Sequence, residues 1–221
     1  MINIAIDGPA GAGKSTLSRR LAAELGYIYV DTGALYRAVG LKFSQLGFDT
    51  ELKGDIDRVL KDTAVDIRFV DSVQRVYLDG KDVSDDIRTP VASMMASAVS
   101  AKPSVRAFLL DMQRKLAKNN NVVMDGRDIG TVVLPDAQVK IFLTADVEIR
   151  AKRRFDELME KGTKTSFDEV LEDMKQRDYN DSNRPIAPLK QADDAVLADT
   201  GALSFEESLE LLKKIVEEGI R

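Results

Sequence analysis

Gly8-Pro9-Ala10-Gly11-Ala12-Gly13-Lys14-Ser15 follows a short apolar run, Ile2 to Ile6, and opens a segment, Lys14 to Leu25, with helical spacing. Leu17, Leu21, Ala22 and Leu25 fall on one face of that helix, and Gly26 stands where a helix cap belongs. Strand, glycine-rich turn and helix in that order are the setting in which the phosphate-loop pattern has a mechanism. Its glycines let backbone amides wrap phosphate oxygens, and the helix N-terminus adds partial positive charge. Lys14 reaches the β- and γ-phosphates, and Ser15 offers a hydroxyl to Mg²⁺. Chance produces such a pattern in only on the order of 1% of chains this long, so a glycine-rich turn without a ligand explains it poorly. Gly8 to Ser15, with Thr16 beside them, are the candidate nucleotide contacts.

Outward from this loop the chain keeps one rhythm. Apolar runs at Tyr27 to Val30, Asn121 to Met124, Val139 to Leu143 and Ala195 to Ala198 read as strands. Helical patterns cover Ala34 to Leu46, Val147 to Glu160, Phe167 to Tyr179 and Ser204 to Glu218. Strands alternating with helices imply an α/β fold with a mainly parallel sheet covered on both faces. One stretch breaks the rhythm. Val65 to Val70, Arg75 to Asp79 and Lys81 to Val83 are short strands, the last two parted by the tight-turn signal Asp79-Gly80. They predict a small antiparallel insert over 63–88 within a single domain spanning 1–221. A helix from Ser104 to Lys118 leads back to the parallel sheet, and a turn at Pro103 joins it to a preceding helix. Tyr27, Tyr29, Phe43, Phe48 and the Met94-Met95 pair are expected in the core, and Glu206, Glu207 and Glu210 on a solvated helix face.

Composition removes much of enzyme chemistry. Among 221 residues there is no cysteine and no histidine, which excludes disulfides, thiol nucleophiles, thiolate metal sites and imidazole bases. Carboxylates, hydroxyls, backbone amides and 32 basic residues remain, sixteen of them arginine. A net charge of −5 argues against a nucleic-acid partner, though not against local phosphate sites. No run of 18 apolar residues appears, and Met1 to Ile6 followed by Asp7-Gly8 lacks the pattern of a signal peptide, so a soluble, cytoplasmic monomer without a membrane partner is expected. No repeat is present. The phosphate loop also serves GTPases and motors, but no Asn-Lys-x-Asp guanine signature occurs and the chain is short for a motor. A kinase acting on a small acceptor fits best. The alternative class is a nucleotide-gated switch that hydrolyses slowly.

Three further stretches carry a resemblance: Asp31-Thr32-Gly33-Ala34-Leu35-Tyr36-Arg37, then Asp125-Gly126-Arg127-Asp128-Ile129-Gly130-Thr131-Val132-Val133, then Arg177-Asp178-Tyr179-Asn180-Asp181-Ser182-Asn183-Arg184, closed by Ala187-Pro188-Leu189. Along nearly its whole length the chain resembles the bacterial cytidylate kinases of the nucleoside-monophosphate kinase group. The resemblance implies a P-loop NTPase fold with a five-stranded parallel core, an acceptor side and a mobile lid. It also implies ATP and Mg²⁺ as cofactors and CMP or dCMP as acceptor. A related kinase for another nucleoside monophosphate or small metabolite is the runner-up. Thr32 replaces a serine common in the family, and Ser15-Thr16 a glycine-threonine pair; both keep a hydroxyl.

The attacking group in such a reaction is an acceptor phosphate oxygen, already largely dianionic at neutral pH, so no strong base is needed. Bringing two polyanions together instead requires fixed cations, for which the planar, always-charged guanidinium is suited. Arg37, Arg127 and Arg184 are the candidates for the acceptor phosphate, as the resemblance also implies. Arg150, Arg153 and Arg154 recur at helical spacing before Gly162-Thr163-Lys164, so a lid over 150–165 could close on ATP. A charged, solvated helix face is the bland alternative. Asp125, ending an apolar strand, either holds Mg²⁺ through water or anchors the following loop. Arg177 and Asp181, four residues apart, could share a helix face and form a salt bridge; the resemblance places them at the ribose. Thr32, Tyr36 and Gly126 belong to the acceptor motifs. Asp128 can accept from the cytosine amino group, with Arg106 and Ser97 supplying donors, unless Asp128 only pairs internally with Arg127 or Arg106.

Overall fold

β1 (Asn3–Asp7) lies at the centre of a five-stranded parallel sheet because it is apolar on both faces. It pairs with β6 (Val122–Gly126) on one side and β7 (Val139–Thr144) on the other. β2 (Ile28–Asp31) and β8 (Val196–Asp199) close the edges in the order β2-β6-β1-β7-β8. The computed structural model describes residues 1–71 and 73–220. The expected parallel core is therefore present with its strand order resolved. α1 (Lys14–Leu25) and α8 (Phe205–Ile220) cover one face, burying Leu17, Leu21, Leu212 and Val216 against Ile4, Ile6 and Ile141. The opposite side is built on α2 (Thr32–Gln45), α4 (Pro90–Ser100) and α5 (Pro103–Asn119), with Leu35, Phe43, Met95, Val99 and Leu109 in one cluster. That cluster also takes Val65, Val76 and Leu78 from a separate antiparallel sheet, β3 (Val65–Val70), β4 (Val73–Leu78) and β5 (Lys81–Asp82). α6 (Val147–Glu160) and α7 (Phe167–Asn183) form a hairpin with its own small core of Ala151, Val170 and Met174.

Two segments depart from the sequence reading. α3 (Ile56–Lys61) was not anticipated, being too short for a 3.6-residue period to register; it is started by Asp55, whose side chain accepts from the Arg58 amide. Ile129 to Val133 form a π-helical turn rather than a loop. The Met94-Met95 pair also splits, with Met94 57% exposed and Met95 buried. Adjacent helix positions point about 100° apart, so one of two consecutive side chains must leave the core. Glu206, Glu207 and Glu210 are exposed, as expected. No helix among the described residues is long and apolar enough to cross a membrane.

Candidate active site

The phosphate loop and the motifs beginning at Asp31 and Asp125 leave the C-terminal ends of β1, β2 and β6, where ligands bind in open α/β sheets. The phosphate loop leaves β1 at Gly8, whose φ is 149°; a Cβ there would stand 1.9 Å from the Leu143 carbonyl oxygen, so only glycine fits beside β7. Lys14 is buried and donates to the Pro9 carbonyl at 2.6 Å. Burial, then the neighbouring Arg127 charge, pulls its ammonium well below the ordinary lysine range.

Asp125 organises the floor. Its Oδ2 accepts from Ser15 Oγ at 2.8 Å, its Oδ1 from the Tyr29 hydroxyl at 2.9 Å, and its backbone carbonyl from Thr32 Oγ1 at 2.8 Å. Burial and the charge of Asp31 push its carboxyl up to about 6. Tyr29, read from sequence as core, is buried and also reaches the site; a buried phenol needs a partner, which was the signal available. The Thr32 hydroxyl is spent on the backbone, so it fastens α2 to β6.

Around this floor the arginines stand on carboxylates. Arg37 Nη2 donates to Asp31 Oδ2 at 2.8 Å, and Asp31 also caps α2. The antiparallel sheet grips the same residue: the Gln74 side chain accepts from the Asp31 amide at 2.8 Å and donates to its carbonyl at 3.2 Å. Arg127 Nε donates to Asp181 Oδ2 at 2.8 Å. Asp181 thus takes Arg127 rather than Arg177 as its ion-pair partner, so the alternative of an internal Arg177–Asp181 salt bridge is not the one formed. Arg177 Nε and Arg37 Nε are buried without partners among the described residues. Burial, then Arg127, lowers the Arg177 guanidinium to about 10, with Arg37 and Arg154 adding repulsion.

A second cluster lies between α4, α5 and the end of α7. Asp128 is buried between Arg106, paired to its Oδ2, and Arg184, whose Nη2 lies 3.1 Å from its Oδ1. Arg184 also donates to the Ala187 carbonyl at 2.6 Å, which fixes its direction. The Arg106 guanidinium sits 5.7 Å from the centre of the Tyr36 ring. Ser97 joins this cluster through Ser100: the Ser97 carbonyl accepts from Ser100 Oγ at 2.8 Å, and Ser100 meets both guanidinium groups at 3.4 Å. Behind the cluster Asp7 accepts from the Ile129 and Gly130 amides, each at 2.7 Å, so β1 holds the π-helical turn in place. Its position, an acid ending an apolar strand beside the loop, carried the same signal as Asp125 and was passed over.

Arg150, Arg153 and Arg154 separate in space. Arg150 is buried and donates to the carbonyls of Ala145 and Ala10 at 2.8 and 2.9 Å and to Asp178 at 2.7 Å. It braces the phosphate loop against α7. Arg153 donates to the Thr200 carbonyl at 2.8 Å. Arg154 pairs with Glu157 at 2.8 Å on an open surface.

A family model described as cytidylate kinase matches residues 4–218. The chain belongs to the cytidylate kinase family. Relatives named cytidylate kinase include one from Caldicellulosiruptor bescii, 53% identical, with 98% of this chain and 94% of that one covered. Another, from Caldanaerobacter subterraneus, is 48% identical over 100% and 96% of the two chains. A solved structure of an uncharacterized protein from Eubacterium ventriosum superposes with a TM-score of 0.55 at 14% identity, covering 98% and 99%; that likeness concerns the fold alone.

Proposed function

We infer that this cytidylate kinase transfers the γ-phosphoryl group of ATP to CMP or dCMP, giving ADP and CDP or dCDP, in the cleft between the phosphate loop and the Asp128 cluster. One observation carries the reading. Lys14 is repelled by Arg127 and Arg177, Arg177 by Arg127, Arg37 and Arg154, and the buried Nε groups of Arg37 and Arg177 have no partner among the described residues. Asp31 and Asp181 offset part of that repulsion, and a bound polyanion relieves the rest.

The roles follow from position. Residues 8–16 cradle the phosphates of ATP, and Lys14 meets the β- and γ-oxygens. Arg37, Arg127 and Arg184 face the acceptor side, where the CMP phosphate oxygen attacks the γ-phosphorus. A bond forms between that oxygen and phosphorus, the bridging bond to the β-phosphate breaks, and ADP leaves with the electron pair. Ser15 and Asp125 form an oxygen donor set that fits a hard divalent cation, and among the described residues no three acidic side chains form a full cage. That suits Mg²⁺ held largely by phosphate and water; when bound there it neutralises charge on the β- and γ-oxygens. Asp181 and Arg177 lie at the expected ribose end. Arg106, Ser97 and Asp128 read the base, with Ser100 beside them, and Asp128 is the acceptor that favours an amino group over a carbonyl. The segment around Gly162-Thr163-Lys164 acts as the lid, with Arg154 the arginine best placed to follow it. A monomeric, cytoplasmic enzyme suits the composition, and gel filtration tests the first of these.

The deciding experiment measures ADP release from ATP with each nucleoside monophosphate and with no acceptor. CMP and dCMP should be fastest. A faster rate with AMP, GMP or a shikimate-like acceptor would refute the base assignment. A rate indifferent to acceptor would favour the switch.

A further inference from the structure

Gln113 is 1% exposed, and neither its side-chain oxygen nor its nitrogen has a hydrogen-bond partner among the described residues. It lines a cavity of about 260 Å³ between α5, the π-helical turn and the segment after α7, together with Tyr36, Arg106, Leu110, Val133 and Ile186. Burying an amide with all its hydrogen bonds unmade destabilises a fold, and native structures rarely keep one without a use. The walls are one aromatic ring and several aliphatic side chains, the lining expected of a slot for a flat ring with few polar anchors. The cavity is continuous with the base cluster, since Arg106 and Tyr36 belong to both. Gln113 follows Arg106 by seven residues, two turns along one face of α5, and helical side chains lean back toward the N-terminus, here toward Arg106. Burial raises the Tyr36 phenol; Arg106 and Arg184 lower it, and so does the Gln113 amide close beside it, so Gln113 and Tyr36 face the same space.

We propose that Gln113 is a base-contacting residue of the acceptor site, its amide engaging the hydrogen-bonding edge of the pyrimidine. This rests on the functional reading above and deepens it. An amide offers an acceptor beside a donor, which complements an amino group beside a ring nitrogen, the pattern by which glutamine recognises adenine. Cytosine has that pattern at its amino group and N3. The amino group carries two hydrogens, so it can give one to Gln113 and one to Asp128. Turned over, the same amide complements the carbonyl and N–H of uracil equally well. Gln113 therefore holds a pyrimidine without choosing between them, and the choice falls to Asp128, whose ionised carboxylate can only accept.

Gln113→Leu separates this role from a structural one, because the two predict opposite signs. A base contact implies that the nucleotide-free variant melts at the same temperature as the parent or higher, since an unpaired buried amide has been replaced by an apolar group of similar size. It also implies that kcat/KM for CMP and for UMP falls by about tenfold to a hundredfold, the worth of two neutral hydrogen bonds, with the CMP-to-UMP ratio and the KM for ATP unchanged. A lower melting temperature without nucleotide and an unaltered kcat/KM would overturn the proposal and assign Gln113 to the support of Tyr36. A changed CMP-to-UMP ratio would overturn the division of labour with Asp128. Gln113→Met, which keeps the unbranched shape, is measured alongside; if neither variant folds, the residue is structural and the proposal falls. Should the parent enzyme itself prefer a purine monophosphate, the functional reading has failed instead.

Discussion

Asp128→Asn perturbs charge and shape unequally, which makes its consequences separable. Asp128, Arg106 and Arg184 have side chains 9% exposed or less, and the single carboxylate faces both guanidinium groups. Burial raises the Asp128 carboxyl despite the two arginines, and the approach of Arg106 adds to the lowering of Arg184. Removing the charge leaves two buried cations facing each other. Breaking one buried pair costs about 3–5 kcal/mol, and asparagine keeps the shape and one acceptor oxygen, so about 3 kcal/mol is expected. For a domain of this size that lowers Tm by roughly 6–12 °C, at 2–4 °C per kcal/mol. Catalysis should respond separately. Loss of a hydrogen bond to a charged acceptor, about 1.5–3 kcal/mol, lowers kcat/KM for CMP by about ten- to a hundredfold or somewhat more. For UMP an opposed pair of acceptors is replaced by a donor facing a carbonyl, so the CMP-to-UMP ratio narrows. Melting curves without nucleotide, and initial rates for both acceptors well below Tm, read the two effects. A fall in Tm with an unchanged ratio would refute base reading and leave Asp128 as a clamp on the arginines; an unchanged Tm would refute the charge compensation itself.

Lys14→Met should lower turnover by orders of magnitude while the chain stays folded, since only a phosphate-facing charge is lost; near-normal turnover would remove the phosphate loop from the reaction. Asp181→Ala frees Arg127 from its partner and should raise KM for CMP and dCMP by the same factor without changing KM for ATP, and unequal factors would point to a 2′-hydroxyl contact. Tyr29→Phe deletes the donor on Asp125 Oδ1 and should raise the Mg²⁺ concentration for half-maximal rate about tenfold or more, read by titration at fixed ATP. Asp7 is pushed up to about 6, chiefly by burial, so the folded state holds its proton more tightly than the unfolded chain. Its stabilising contribution is full below about pH 4 and lost as pH rises through about 6, whereas Asp7→Asn lacks that dependence. Urea melts should show the stability gap favouring the parent most near pH 4 and shrinking by roughly 3 kcal/mol by pH 7, and a constant gap would contradict the strained carboxylate.

The frame of the molecule was legible because its signals are local. The phosphate loop, the alternation of strand and helix, and the Asp79-Gly80 turn each occupy contiguous residues, and Val147–Glu160 was bounded from apolar spacing alone. Partner choice was not legible, because it joins residues far apart in the chain. Arg127 and Asp181 are 54 positions apart, and nothing in the order of residues selects that pair over Arg177 and Asp181. Arg150 looked like its neighbours Arg153 and Arg154 until the fold carried Ala10 beside it. Ser97 and Ser100 occupy the same stretch of α4, and only the approach of Arg184 distinguishes them. Gln74 gave no signal, since its contact with Asp31 exists only once the antiparallel sheet has docked on β2.

The pairing of arginine with carboxylate bears on catalysis as well as on folding. A cleft holding Lys14, Arg37, Arg127 and Arg177 without counter-charges would be costly to fold, which the lowered Lys14 and Arg177 groups already register. It would also bind both nucleotides tightly before any bond changes, and tight ground-state binding lowers KM without raising kcat. Asp31 on Arg37, Asp181 on Arg127 and Asp128 on Arg184 reduce that ground-state attraction while leaving each guanidinium held in a fixed direction. Fixed direction is what electrostatic stabilisation of a transferring phosphoryl group requires, because donors already aligned need no reorganisation when charge moves. Gln74 extends the same logic one layer outward. By gripping the Asp31 backbone it fixes the carboxylate that aims Arg37, and so couples the antiparallel insert to the direction of that guanidinium.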